Sequence, residues 1–129
     1  MEEKNISLAA AEWSIMECLW ESAPRTGREL TEALKERCGW SRSTTLTLLR
    51  RLEAKGAVGS GEETGIKSFR PLVSRENVAL GETESLLSRA YRGSLSLLVS
   101  SFVEKGDLSR QEIEELCAIL EQLKEKNDG

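Results

Sequence analysis

Apolar residues recur at three- and four-residue steps along most of the chain, and their spacing predicts six helices and one hairpin. Leu8, Trp13, Met16, Leu19 and Trp20 mark one face of a first helix. That helix begins after Ser7, a suitable N-cap, and ends before Pro24. Both tryptophans are expected to fill the core. Thr26, with Glu29 three residues on, forms a capping box, and Leu30, Ala33 and Leu34 supply the buried stripe of a second helix closed by Cys38-Gly39. A third helix starts at Ser41 or Ser43, runs from Arg42 to Lys55 and stops at Gly56. Leu48, Leu49 and Leu52 face inward, whereas Thr44, Thr47 and Arg51 share the opposite face.

After Gly56 the period changes. Ala57–Ser60 and Ile66–Arg70 read as two short strands around the polar turn Gly61–Gly65, with Pro71 ending the second. From Ser74 onward the helical period returns. One helix is expected over Arg75–Tyr91, with Val78, Leu80, Leu86, Leu87 and Tyr91 as apolar positions, and Gly93 interrupts it. A very apolar stretch, Ser94–Glu104, carries Leu95, Leu97, Leu98, Val99, Phe102 and Val103. After Gly106, Ser109 and Glu112 form another capping box before Ile113, Leu116, Cys117, Leu120 and Leu123, close to a heptad.

The fold class expected is mainly α: a winged helix-turn-helix over residues 1–73 and a helical region over 74–129. In a winged helix the third helix enters the major groove and the hairpin flanks it. Three terminal helices bury so many leucines most economically against the same helices of a second copy. Leu87, Tyr91, Leu95, Leu98, Phe102, Ile113, Leu116 and Leu120 are the expected dimer contacts; packing back on the N-terminal half is the other use of that apolar surface.

Composition narrows the functions that fit. The 129 residues are 39% hydrophobic and 31% charged, ordinary for a soluble globular protein. There is no histidine, which removes imidazole base catalysis and most zinc sites, and the carboxylates are spread along helix faces. No enzyme, cofactor or metal site is expected. The charged Met1–Asn5 segment has no apolar core and is not expected to be a secretory signal; no apolar run suits a membrane span. Three widely spaced cysteines, Cys18, Cys38 and Cys117, fit a reducing cytoplasm and read as small buried residues.

The net charge of −4 is unusual for a DNA binder, but the distribution matters more than the sum. Residues 42–70 hold Arg42, Arg50, Arg51, Lys55, Lys67 and Arg70 against Glu53, Glu62 and Glu63, a local basic patch. At the tip of the third helix, Ser41, Arg42, Ser43 and Thr44, with Thr47 one turn on, offer groups for base edges or phosphates. Arg50, Arg51, Lys55 and the hairpin's Lys67 are expected on phosphates.

Ile6-Ser7, Ala11-Glu12-Trp13, Met16 and Leu19-Trp20 lead to Trp40-Ser41, Thr44, Thr47-Leu48, Arg51-Leu52 and Lys55-Gly56. With Tyr91–Leu95, Phe102–Glu104, Leu108-Ser109 and Ile113–Leu116, this pattern resembles the penicillinase repressor family of BlaI, MecI and CopY type, in register over nearly the whole chain. The resemblance implies a cytoplasmic homodimeric repressor on a palindromic double-stranded DNA operator, governing an antibiotic-resistance or related stress operon. It also implies a membrane sensor protease as partner, with cleavage between Ser101 and Phe102. Ser101 stands where cleaved members carry Asn, Leu46 and Ser43 replace basic or polar residues, and the C-terminal cysteine cluster of the copper-responsive branch is missing. A different operator is therefore expected. The other function classes the scaffold fits are a dimeric protein-interaction module, to which Leu46 is suited, and a ligand-gated regulator.

Overall fold

A computed structural model describes residues 6–128; Met1–Asn5, read above as no secretory signal, and Gly129 lie outside the described residues. The elements run α1 (Ala10–Glu21), β1 (Arg25–Thr26), α2 (Gly27–Cys38), α3 (Arg42–Lys55), β2 (Val58–Glu63), β3 (Ile66–Pro71), α4 (Arg75–Ala90), α5 (Leu95–Lys105) and α6 (Arg110–Asp128). The chain parts into two compact units, one up to Thr83 and one from Glu84. The division falls inside α4.

In the N-terminal unit, helix ends follow local chemistry. Helix α1 starts three residues after Ser7: Ala9 is its N-cap, and Glu12 Oε1 accepts from the Ala9 N–H at 2.8 Å. The capping box of α2 forms as expected, with Thr26 Oγ1 accepting from Glu29 N–H and Glu29 Oε1 from Thr26 N–H. Helices α2 and α3 end at Gly39 and Gly56, both left-handed, a conformation that costs glycine little.

The sheet order is β1-β3-β2, all antiparallel. Two details differ from the sequence reading. Glu62 and Glu63 continue β2, pairing with Lys67 and Ile66, because the turn is only Thr64-Gly65. Both turn residues have positive φ, 53° and 79°, which matches the twist of the paired strands. The two-residue β1 has no apolar alternation to announce it; it exists because Arg25 and Thr26 lie opposite Phe69 and Ser68.

Ile15, Met16, Leu19, Leu30, Leu34, Leu49 and Leu52 form the centre of the core, each at most 1% exposed. Trp13 and Trp20 sit half-buried at its rim, edge to face at 5.7 Å, rather than inside it. Trp20 Nε1 donates to the Val73 carbonyl at 2.9 Å, and Arg75 both lies over Trp13 and pairs with Glu17 at 2.8 Å. Val78 is buried and Glu82 Oε1 accepts from Leu8 N–H at 3.1 Å. These contacts explain why the first turns of α4 belong to the N-terminal unit.

In the C-terminal unit, Ser94 caps α5 by accepting from Leu97 N–H, Gly106 ends it, and Ser109 caps α6 by accepting from Glu112 N–H. Among the described side chains, neither α5 nor α6 buries a residue fully. Leu95, Phe102, Ile113, Leu116 and Leu120 are 40–57% exposed, while Leu87, Tyr91 and Leu98 are half-buried. The cysteines do not all behave as small core residues: Cys18 is buried, but Cys38, the last residue of α2, and Cys117, on the apolar stripe that α6 leaves uncovered, are exposed. No helix among the described residues is long and apolar enough to cross a membrane.

Candidate nucleic-acid interface

Helix α3 is anchored by Thr45, Leu48, Leu49 and Leu52, so the row directly opposite is Ser43, Thr47, Arg50 and Ala54. All four are exposed. Thr44 and Arg51 flank this row on one side, Arg42 and Leu46 on the other. The outward row thus lies roughly 60° around the helix from the centre of the Thr44–Thr47–Arg51 face read from spacing, because it is set by the point opposite Leu48, Leu49 and Leu52 rather than by where the polar residues recur.

The first turn is held by Ser41, whose Oγ accepts from Thr44 N–H at 3.2 Å and lies 3.1 Å from Thr44 Oγ1. Thr44 is therefore partly engaged in capping, while Ser43 and Thr47 are exposed and make no side-chain hydrogen bond among the described residues. Among the described side chains, Arg42, Arg50 and Arg51 are exposed and have no carboxylate within ion-pair range.

The two lysines differ from the arginines and from each other. Lys55 Nζ is 2.5 Å from Glu12 Oε1 and also donates to the Ser7 carbonyl at 2.9 Å. It is a bracket between α3 and the start of α1 rather than an open cation. Lys67 Nζ lies 3.7 Å from Glu53 and 5.3 Å from the centre of the Phe69 ring, and stays more than half exposed. Glu53 also accepts from Ser60 Oγ at 3.2 Å, so it ties both strands of the hairpin to α3.

Leu46, the residue that suited a protein-docking role, is half-buried. A Cβ placed on Gly27 would meet Leu46 Cδ2 at 3.8 Å and Phe69 Cε2 at 3.7 Å, so the three residues close the floor between α2, α3 and β3. Leu46 is a packing residue beside the candidate interface.

Glu12 was not singled out by the sequence reading. Its side chain is 1% exposed. Burial pushes its carboxyl up, but the Lys55 hydrogen bond, the Ala9 N–H and the charges of Lys55 and Arg51 together bring it below its ordinary value. The signal was present: Glu12 stands three and four residues before Ile15 and Met16, a carboxylate on an otherwise apolar stripe.

Ser101 and Phe102 lie within α5, and Ser101 Oγ donates to the Leu97 carbonyl at 3.0 Å, so the bond between them is in regular helix.

Known proteins are similar to this chain in sequence and, over the winged helix, in fold. The penicillinase repressor profile matches residues 8–122. The methicillin resistance regulatory protein MecI of Staphylococcus aureus (strain N315) is 32% identical over 120 residues, 93% of this chain and 98% of that protein. The penicillinase repressor of Bacillus licheniformis is 31% identical over 92% of this chain and 93% of that one. Among solved structures, the DNA-binding domain of the repressor BlaI aligns with a TM-score of 0.53 and 25% identity, over 59% of this chain and 93% of that domain. The monomeric form of Bacillus licheniformis BlaI in complex with the blaP half-operator aligns with a TM-score of 0.52 and 26% identity, over 57% of this chain and 90% of that one. A winged helix in this element order, matched by the profile from the first helix to the last, makes the chain a member of the penicillinase repressor family.

Proposed function

We propose that the chain is a dimeric transcriptional repressor that holds a palindromic DNA operator through α3 and the hairpin, in an antibiotic-resistance or related stress operon. The observation that carries this reading is the outward row of α3. Ser43 and Thr47 stand exposed in it, with Arg42, Arg50 and Arg51, unpaired among the described residues, around them. Short hydroxyl side chains reach base edges, and flanking guanidiniums reach phosphates. Lys67, loosely paired and exposed, is a further phosphate contact from the hairpin. The BlaI–half-operator complex has the same fold, which supports α3 as the reading helix.

Dimerisation is supported by the apolar surface of the C-terminal unit. Leu95, Phe102, Ile113, Leu116 and Leu120 are too exposed for an isolated chain, and with Leu87, Tyr91 and Leu98 they supply a self-complementary patch. Two reading heads in one particle match two half-sites of an inverted repeat. A sensor protease acting at Ser101–Phe102 would divide this patch and remove bivalent binding; the bond must first leave its helix.

Footprinting on the DNA upstream of the chain's own gene tests the proposal. Protection of an inverted repeat is expected. No protected repeat, even at low salt, would exclude it.

A further inference from the structure

Lysines and arginines on a DNA-facing helix both ordinarily contact phosphates, yet here the buried environment separates them. Glu12 Oε1 accepts from Lys55 Nζ and from the Ala9 N–H, and Lys55 Nζ has a second acceptor in the Ser7 carbonyl. Glu12 Oε2 is buried without a hydrogen-bond partner among the described residues. Drawing Lys55 toward a phosphate would leave an ionised carboxylate in the core with one N–H donor, which is far costlier than exchanging a solvent-exposed pair. Lys67 makes the contrast: its pairing with Glu53 is 3.7 Å long, and both side chains meet solvent.

We infer that Glu12 is a positioning residue for DNA binding: its buried carboxylate holds Lys55 away from the DNA backbone, so the last turn of α3 contributes no phosphate contact. The inference rests on the DNA-binding reading above. Phosphate contacts carry no sequence information, so Glu12 limits binding to any duplex rather than selecting the operator. An acidic chain with a reading helix rich in cations thereby keeps its sequence-independent affinity low.

The test is the slope of log affinity against log salt, measured with full-length protein on its operator and on a random duplex. Each phosphate contact adds about 0.9 to the slope, or roughly an eight-fold further loss of affinity over a ten-fold rise in salt. Glu12→Gln frees Lys55, and the slope is expected to steepen by about 0.9 on both DNAs. Adding Lys55→Gln to that variant is expected to restore the wild-type slope. An unchanged slope in Glu12→Gln, with the protein folded, would overturn the inference. Should Glu12→Gln not fold, the double variant, which leaves no buried charge unpaired, decides against wild type: equal slopes support the inference, and a shallower one overturns it. Wild type that retains neither DNA at low salt overturns the DNA-binding reading itself, a failure separate from either slope result.

Discussion

Which carboxylate a cation can reach decides its availability to DNA. Arg42, Arg50 and Arg51 reach none among the described side chains, Lys67 reaches Glu53 loosely, and Lys55 is held by Glu12. Thr47, at the centre of the outward row, is the side chain best placed to read a base. Thr47→Ala is expected to weaken operator binding by about 1–3 kcal/mol and to change random-duplex binding much less. Equal losses in competition gel shifts would remove Thr47 from base reading. Glu12 also links pH to stability. Its carboxyl is held below its ordinary value of 4.5, and Glu21, through Arg37, and Glu29, through the Thr26 N–H and hydroxyl, are lowered too. The unfolded chain therefore binds these protons more tightly than the folded one. The stability they contribute is full above about pH 4.5 and is lost as pH falls through the lower folded values. Thermal melts followed by circular dichroism should show Tm dropping in that acid window, less steeply in Glu12→Gln than in wild type.

Elements begin and end here where a side chain or a glycine satisfies the backbone. The hairpin depends on a two-residue turn with both φ values positive, so Gly65→Val places a β-branched residue where L side chains are strained. A loss of roughly 1–2 kcal/mol is expected in urea unfolding, with α3 left intact. Helices α5 and α6 show the opposite situation, with sound caps but no buried face of their own. Leu116→Asp combined with Leu120→Asp puts two charges into the proposed pairing surface. Sedimentation velocity should report a dimer for wild type and a monomer for this variant, with the winged helix still folded by circular dichroism. A variant that stays dimeric would move the interface elsewhere.

The two units carry separable tasks in the proposed mechanism: the N-terminal one reads a half-site, and the C-terminal one supplies the second copy. Bivalent binding multiplies affinity without a new contact, typically by about 10²–10⁴. The full inverted repeat is therefore expected to bind at least a hundred-fold tighter than a half-site duplex in fluorescence anisotropy titrations, and the dimer-breaking variant should abolish that difference. Equal affinity for half and full sites would separate dimerisation from DNA binding in this chain.

The sequence by itself determined the order of the helices and the hairpin, the helix ends at Thr26, Gly39, Gly56, Gly106 and Ser109, and the family, because caps and hydrophobic periods are local signals. It also placed Thr44, Thr47 and Arg51 on an exposed side of α3, and all three are exposed. Only the tertiary structure decided the rest. Strand β1 exists through pairing with residues more than forty positions away. The burial of polar Thr45 has no signature in the hydrophobic pattern, and the rim position of the tryptophans depends on the Val73 carbonyl and Arg75. Lys55 lies 43 residues from the Glu12 that holds it. Spacing along a helix tells which side chains share a face, but a charge is free or bound according to what the rest of the chain folds against it.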